Sequence, residues 1–237
     1  MKNCKNTDKQ FCFIVPFYNA EKFISICAKS IYCQNYAVFR VIFINDASTD
    51  GSQTIIDEFT KKYNNIFCIN NKINYGPAYS RFVGIQETSN DEILIFLDGD
   101  DWLFSPTVLE YLNNIYQENV EMTVGSYKKY DGKKSIFTSK VCTININKPT
   151  RYHLRSGYAY LWKNMPYEFI LDENKQLIRY LTDFNEILWA IKQTNKIFYC
   201  MLPLSIYNTT GNSTEFLPKE YKISLFKNIS NKCQPLI

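Results

Sequence analysis

The chain has 237 residues, of which 46% are hydrophobic, 21% charged and 16% aromatic. This composition predicts a well-packed core and excludes wholesale disorder, a coiled coil and a collagen-like chain. Its 27 basic and 23 acidic residues give a formal net charge of +4, far from the clustered excess expected of a dedicated nucleic-acid binder.

In the N-terminal half, short apolar runs alternate with amphipathic segments. Strand-like runs lie at residues 11–15, 38–44, 66–69 and 93–97. A segment with helical spacing follows each run: the first is capped by Asn19, the second passes through Ile55 and Phe59, and the last two are opened by Pro77 and Pro106. This alternation, with strands that are apolar on both faces, predicts an open, mostly parallel α/β sheet flanked by helices.

Beyond residue 120 the pattern changes. Strands are predicted at Met122–Tyr127 and Ser135–Thr143 around an Asp131-Gly132 turn, and residues 148–183 are irregular and rich in aromatic side chains. A helix is expected at Phe184–Gln193 and a last strand at Ile197–Tyr207. We therefore expect a single domain over 1–237, in which a second half, about 121–237, completes a ligand site begun by residues of about 11–120.

The cysteine spacing predicts no zinc site, and the N-terminal residues show no secretory signal. The eight cysteines form no CxxC pair, and the single histidine, His153, has no cysteine nearby, so a zinc site is not expected. Several cysteines lie inside apolar runs, which favours reduced thiols. Because residues 1–10 are polar and no apolar run approaches the ~20 residues that span a bilayer, we expect a cytoplasmic protein.

Three polar clusters follow predicted strands, at residues 16–19, 45–51 and 98–101. Ligands of open α/β sheets bind beyond the carboxyl ends of the strands, so these clusters are the candidate site. The third cluster contains three carboxylates within four residues, a set of hard oxygen ligands that suits Mg²⁺ or Mn²⁺ and, through the metal, a phosphate group. The alternative is a solvated turn in which Asp101 caps a helix.

The other polar residues have a structural interpretation as well. Asp46 and Asp50 are suited to forming turns and caps. Residues 74–77 are equally well explained as a plain loop, and Arg81 as an exposed helical residue.

Four blocks stand in a fixed order along the N-terminal half: residues 13–19, residues 45–52, residues 74–81 with Gly84, and residues 96–101. In residue types and spacing these blocks resemble the family 2 glycosyltransferases of GT-A fold. A weaker likeness continues at residues 162–164, at Thr182-Asp183, and at Tyr207 with Ser213-Thr214. The resemblance implies transfer of a sugar from a UDP-sugar to an acceptor hydroxyl with inversion, in the presence of Mn²⁺ or Mg²⁺.

The resemblance also implies roles for individual residues. The nucleotide would be bound by the first three blocks, namely by Pro16, Phe17, Tyr18, Asn19, Asp46, Asn74, Gly76 and Arg81. In this set Tyr18 stacks on the base, Asp46 accepts a hydrogen bond from the uracil imide, and Arg81 lies near the phosphates. Asp98 and Asp100 would hold the metal, and Asp98 with Gly99 would also contact the ribose or the donor sugar.

On the acceptor side, Asp183 matches the general base of the family. An acceptor hydroxyl has a pKa far above neutrality, so its proton must go to a positioned base. The alternative role of Asp183 is an N-cap of the helix that follows it.

Four departures from the family pattern bear on this interpretation. Asn45 stands in place of an Asp, Phe82 in place of an Asn that follows Arg81, and Thr182 in place of a Glu before Asp183. A basic residue near Tyr207 is not evident. The Thr182 departure leaves open a second hypothesis, a catalytically degenerate module that binds a nucleotide sugar or a glycan.

The partners expected from the resemblance are a UDP-sugar and a glycan, lipid-linked or protein-linked acceptor, with no nucleic acid. A lipid-linked acceptor would bring the chain to a membrane, although the lysines at 128–129 and 133–134 are most simply a solvated hairpin tip.

His153, flanked by Arg151 and Arg155, is either structural or a contact for the acceptor or a phosphate. Other nucleotide enzymes are disfavoured because the first strand is followed by neither a GxGxxG motif nor a glycine-rich basic loop.

Overall fold

The computed structural model describes residues 8–133, 136–138, 144 and 154–210. The strands are β1 (Phe11–Phe17), β2 (Phe39–Asn45), β3 (Ile66–Asn70), β4 (Ile93–Phe96), β5 (Trp102–Leu103), β6 (Met122–Tyr130), β7 (Ile136–Thr138), β8 (Arg155–Tyr158) and β9 (Ile197–Asn208). The helices are α1 (Ile24–Tyr32), α2 (Ser52–Lys62), α3 (Pro77–Gln86), α4 (Val108–Tyr116), α5 (Tyr160–Lys163) and α6 (Thr182–Ala190), with a 3₁₀ helix at Tyr167–Ile170. Within these ranges no helix combines the length and the apolar character needed to cross a bilayer.

All of these strands belong to one sheet, in the order β3-β2-β1-β4-β8-β6-β9-β5, and β7 pairs with β6. The first four strands of this order are mutually parallel. β8 runs antiparallel to both β4 and β6, whereas β9 is parallel to β6. The expected α/β architecture is therefore confirmed, with the antiparallel pairs confined to strands of the C-terminal half, to β5 and to their junction with β4.

The central strand β1 is buried along its whole length, and its side chains alternate between two hydrophobic layers. Phe11 and Phe13 belong to the layer that also contains residues of α1 and α4. Cys12 and Ile14 belong to the opposite layer, together with residues of α3 and α6. Coverage of both faces explains why the N-terminal strands are continuous apolar runs rather than alternating ones.

The first expected helix cap is wrong. α1 begins at Ile24, and Phe23 precedes it without a side-chain cap. Asn19 has a φ of 48°, and its Oδ1 accepts a hydrogen bond from the backbone N–H of Thr49 at 2.8 Å. Asn19 therefore ties two loops together instead of capping the helix.

The C-terminal half is more regular than the sequence indicates. The segment expected to be irregular contains β8, α5 and a 3₁₀ helix, and α6 starts at Thr182 rather than Phe184. Of the strand expected at 135–143, residues 136–138 form β7 and pair antiparallel with β6, as the hairpin prediction requires. The remainder of that expected strand lies outside the described residues.

Gly157 in β8 gives a test of this part of the fold. A Cβ at this position would lie 2.9 Å from Trp162 and 3.0 Å from the backbone oxygen of Glu121, both of which are fixed neighbours. We expect Gly157→Ala to lower the free energy of unfolding by about 1–3 kcal/mol, measured by denaturant titration. The control is Gly51→Ala, whose Cβ would meet only the exposed side chain of Glu21. Equal stability of the two variants would contradict the packing of β8.

Candidate functional site

A cleft of about 640 Å³ opens where β1, β2 and β4 end, between the N-termini of α3 and α6. It is lined by every residue to which the family resemblance gives a role in donor binding, in metal binding or as the base: Pro16, Phe17, Tyr18, Asn19, Asp46, Asn74, Gly76, Arg81, Asp98, Gly99, Asp100 and Asp183. These residues come from five separate segments of the chain. The structure brings them together, and their individual roles remain predictions.

One wall of the cleft consists of the loops that follow β1 and β2, and these loops are cross-linked by hydrogen bonds. The backbone N–H of Asn19 donates to Ser48 Oγ at 3.0 Å, while Thr49 donates back to the Asn19 side chain. The backbone N–H of Glu21 donates to an oxygen of Asp50 at 3.1 Å. Tyr18 projects from this wall with 45% of its surface exposed, so a face of its ring is available for stacking.

Asp50 has a structural role in this wall. Burial alone raises the pKa of its carboxyl, but hydrogen bonds from Ser52 and from the backbone of Glu21 outweigh burial and lower it. The interpretation of Asp50 as a turn and cap residue therefore agrees with its contacts.

Asp46 is 3% exposed and holds the loop that leads into α3. Its carboxylate accepts hydrogen bonds from the backbone N–H groups of Tyr75 at 3.0 Å and Gly76 at 2.7 Å, and from the side chain of Asn71 at 2.8 Å. Gly76 has a φ of 92°, a conformation that favours glycine. Because an ionised carboxylate offers about four acceptor positions, Asp46 has about one left for a ligand.

Gly99 explains how Asp98 and Asp100 reach the cleft. Its backbone N–H donates to the carbonyl of Pro16 at 3.0 Å, and a Cβ on Gly99 would lie 2.6 Å from the Cβ of Phe17. Only glycine allows the turn to approach β1 this closely, so the two carboxylates on either side of it are presented at the end of β4.

The proposed capping role of Asp101 is wrong. Asp101 is buried, and its Oδ1 accepts a hydrogen bond from the backbone N–H of Asn208 at 2.8 Å. α4 begins at Val108, and Thr107 occupies the cap position. Asp101 therefore fixes the end of β9 to the turn after β4.

The residues at this turn fit a divalent cation that shares its ligands with a substrate. Carboxylate oxygens are the ligands that Mg²⁺ and Mn²⁺ prefer, and Asp98 has 46% of its side chain exposed. In residues 8–133 and 154–210 no three His, Cys, Asp or Glu side chains gather into a metal site. The arrangement thus suits a cation that completes its coordination with phosphate oxygens and water.

Arg81 is 2% exposed, so its interpretation as an exposed helical residue is wrong. Its Nη1 donates to Asp98 at 2.7 Å, its Nε donates to Glu186 at 2.9 Å, and its Nη2 donates to the hydroxyl of Thr182. Burial alone lowers the pKa of Arg81, but the negative charges of Glu186 and Asp98 outweigh it and raise the pKa above its ordinary value. Arg81 therefore stays charged and joins the turn after β4 to α6.

Asp183 lies in the first turn of α6, inside the helix. The residue at the cap position is Leu181, which has a φ of 54° and makes no side-chain cap, so the N-cap interpretation of Asp183 is wrong. Asp183 lines the same cleft as Asp98 and Asp100.

Sequence reasoning missed two residues that build this part of the site. Arg155 pairs in register with Phe96, so the antiparallel direction of β8 brings Arg155 to the carboxyl end of β4. Glu186 accepts hydrogen bonds from both Arg81 and Arg155. The available signal was the position of Glu186, one helical turn after Thr182 and therefore on the same face.

The residues that depart from the family pattern differ in where they lie relative to the cleft. The amide of Asn45 bonds Gln53 at 2.7 Å and the backbone N–H of Ser48 at 2.8 Å, which is a supporting role beneath the cleft. Phe82 packs edge-on against Tyr167 and does not line the cleft. Tyr207 lines the cleft, whereas residues 134, 151, 153, 213 and 214 lie outside the described part of the chain.

Comparison with known proteins gives a family match. The model of the family described as Glycosyl transferase family 2 matches residues 12–182. The chain is 30% identical over 130 residues to Glycosyltransferase GlyA of Streptococcus pneumoniae, covering 55% of this chain and 18% of that protein. It is 32% identical over 130 residues to Poly(ribitol-phosphate) beta-glucosyltransferase of Bacillus spizizenii, covering 52% and 20%. The matches therefore span about a fifth of the length of these relatives.

Solved structures show the same fold at low identity. Staphylococcus aureus TarS 1-349 in complex with UDP-GlcNAc superposes with a TM-score of 0.70 at 19% identity, covering 93% of this chain and 65% of that one. The mannosyltransferase PcManGT of Pyrobaculum calidifontis, in complex with GDP-Man and Mn²⁺, gives a TM-score of 0.61 at 14% identity, covering 97% and 66%. One neighbour holds a uridine nucleotide and the other a guanosine nucleotide, so the fold does not identify the base.

The contacts of Asp46 generate a prediction that is independent of any ligand. In Asp46→Asn, an NH₂ group would face backbone N–H donors, and at least one of these would lose its acceptor. We expect faster amide hydrogen exchange at Tyr75 and Gly76, and a free energy of unfolding lower by about 1–3 kcal/mol. Asp91→Asn, at an exposed position, is the control. Unchanged protection at both amides would show that Asp46 does not hold this loop.

Proposed function

The chain belongs to glycosyl transferase family 2 and is a glycosyltransferase with a GT-A-like fold, and from this premise we propose that it transfers a sugar from a UDP-sugar to an acceptor hydroxyl, with inversion and with a divalent cation. The observation that carries the proposal is the convergence of nucleotide-side residues, two partly exposed carboxylates and Asp183 on one cleft. Because the relatives are matched over only part of their length, donor and acceptor are proposed for this chain and not transferred to it.

At the donor end, Tyr18 stacks on the base and the remaining acceptor position of Asp46 receives the imide N–H of uracil. Cytosine has no N–H at that position, so it would lose this hydrogen bond and set the lone pair of its own ring nitrogen against the carboxylate. The UDP-GlcNAc bound by the TarS neighbour supports a uridine nucleotide sugar as the donor.

Asp98 and Asp100 would hold the divalent cation, whose chemistry when bound is to neutralise charge on the departing diphosphate. Arg81 keeps one oxygen of Asp98 bonded at 2.7 Å, so this carboxylate is held in a fixed orientation toward the cleft. The Mn²⁺ in the PcManGT neighbour supports a cation, although its identity here is open to Mg²⁺ as well.

In the transfer step Asp183 accepts the proton of the acceptor hydroxyl. The acceptor oxygen forms a bond to the anomeric carbon while the bond from that carbon to the β-phosphate oxygen breaks, and its electron pair leaves with UDP. A single displacement of this kind inverts the anomeric configuration. The acceptor is a hydroxyl of a glycan, lipid-linked or protein-linked substrate.

A second candidate function is a module that binds a nucleotide sugar without turnover. It is favoured by Thr182 before Asp183 and by the polar residues Asn208 and Thr210 beyond Tyr207, where the family pattern has a basic side chain. The two candidates differ in donor hydrolysis: an enzyme slowly hydrolyses its UDP-sugar when no acceptor is present, and a binding module does not.

Calorimetric titration with UDP tests the donor site. We expect wild-type protein to bind UDP in Mn²⁺ and to lose this binding in chelator, with GDP and CDP at least about tenfold weaker. Asp100→Asn should bind UDP in Mn²⁺ at least about tenfold more weakly, because a neutral amide is a poor ligand for a hard cation. Asp91→Asn should bind as the wild type does. Metal-independent UDP binding, or full affinity in Asp100→Asn, would contradict the metal role.

Asp183→Asn tests the base. The substitution keeps the size of the side chain but cannot accept a proton, so hydrolysis of UDP-GlcNAc or UDP-glucose should fall by about 100- to 10,000-fold. The affinity for UDP should stay within about twofold of wild type, since Asp183 does not belong to the proposed donor contacts. Full turnover by Asp183→Asn would assign the base to another residue.

A further inference from the structure

The carboxylate of Glu186 is buried between two guanidinium groups. Glu186 is 1% exposed, and its two oxygens are shared between Arg81, whose Nε lies at 2.9 Å, and Arg155, whose Nη2 donates to the second oxygen. Arg81 and Arg155 are 2% and 5% exposed. One buried carboxylate and the partly exposed Asp98 face these two buried positive charges, and the negative charge of Asp183, which is also partly exposed, acts on Arg81 as well. Glu186 is thus the one fully buried counter-charge among the partners described for them.

The hydrogen bonds of Arg81 connect the first turn of α6 with the turn that follows β4. Thr182 and Glu186 lie four residues apart on one face of α6, and both accept hydrogen bonds from Arg81. The third donor of Arg81 goes to Asp98. Asp183 is adjacent to Thr182, so a single guanidinium fixes the first turn of α6, and Asp183 with it, relative to the turn that presents Asp98.

Contacts other than the Glu186 carboxylate also hold α6 against the sheet. Phe184, Ile187 and Leu188 are buried in the hydrophobic layer on this side of the sheet. The indole N–H of Trp162 donates to the backbone carbonyl of Glu186 at 3.0 Å, a bond that does not involve the Glu186 side chain. The role left for the Glu186 carboxylate is therefore to hold the N-terminal turn of α6 against Arg81.

We propose that Glu186 is a positioning residue for the transfer step, and that it supplies, from one helical turn further along α6, the carboxylate that Thr182 does not provide to Arg81. This inference rests on the proposed function, in which Asp183 is the base and Asp98 contributes to the donor site. Glu186 acts through Arg81 and touches neither substrate.

If the role of Glu186 is to give Arg81 a carboxylate, a carboxylate at position 182 should be able to replace it. Thr182 is 5% exposed, contacts Arg81 through its hydroxyl and lines the cleft, so a carboxylate at this position would extend toward the same guanidinium. In Glu186→Gln, Arg81 and Arg155 lose their buried counter-charge, and the first turn of α6 loses its fixed distance from Asp98. A displacement of about 1 Å at a reacting group is enough to reduce turnover about 100-fold.

The experiment compares wild type, Glu186→Gln, the double variant Thr182→Glu/Glu186→Gln, and the matched control Thr182→Gln/Glu186→Gln, which adds side-chain length at 182 without charge. Each is assayed at a temperature at which circular dichroism shows it folded. The probe is the UDP-sugar, out of UDP-GlcNAc and UDP-glucose, that wild type hydrolyses faster. The measurements are kcat for hydrolysis and Kd for UDP in Mn²⁺.

We expect Glu186→Gln to lower kcat about 100-fold with less than a threefold change in Kd, and the double variant with Glu at 182 to recover at least tenfold of that loss. The control with Gln at 182 should recover none. A purely structural role would lower stability and leave kcat of the folded fraction unchanged, which would overturn the inference. Equal values of kcat in the two double variants would also overturn the inference. So would the finding that neither Glu186→Gln nor Thr182→Glu/Glu186→Gln folds.

Failure of the proposed function is recognisable separately. If wild type neither binds UDP nor hydrolyses a UDP-sugar, the transferase proposal fails and this inference fails with it. If wild type is active and the exchange of positions has no effect, only the role given to Glu186 is contradicted.

Discussion

Burial of β1 on both faces is the constraint on which the site depends. Every residue from Phe11 to Phe17 is inaccessible or nearly so, and the parallel strands on either side share this environment. An unpaired polar side chain is costly along such strands, because it would lose its hydrogen bonds to water, and Arg40 of β2 is paired with Glu92. The polar side chains of the site appear where the strands end, and since β1, β2 and β4 are parallel, their ends meet at one edge. The cleft forms at this edge because the polar groups that follow the three strands are brought together there.

The N-terminal half could be predicted from sequence because its signals are local. Its buried strands are continuous apolar runs, and Pro77 marks the start of α3 within one turn. β8 carried no such signal, since its residues Arg155 to Tyr158 include a charge and a glycine. This strand exists because β4 and β6 pair with it on both sides and because Ser156 shares buried hydrogen bonds with Tyr116 and Thr123. Those partners lie 33 and 40 residues away from Ser156 in the chain.

The contrast between local signals and long-range contacts also holds for the site. Residues in local motifs were predicted, whereas the pairing of Arg81 with Glu186 was not. The residues that line the cleft stand in short motifs of recognisable order, so their proximity follows from the order of the strands. The burial of Arg81 depends on Glu186, which is 105 residues further along, and no pattern around Arg81 distinguishes it from an exposed helical arginine. Predicting this pair requires knowing that α6 packs beside α3, which is a property of the tertiary structure.

The cross-linked loops of the first wall have a consequence for how a ligand would associate. Asn19 bonds Ser48 and Thr49, and Glu21 bonds Asp50, through groups of the chain itself, so much of the conformational entropy of this wall is lost during folding. A ligand that associates with this wall would meet a surface whose shape is already set. The entropic penalty of association then falls mainly on the ligand, and the wall acts as a rigid template rather than as a lid that closes over its guest.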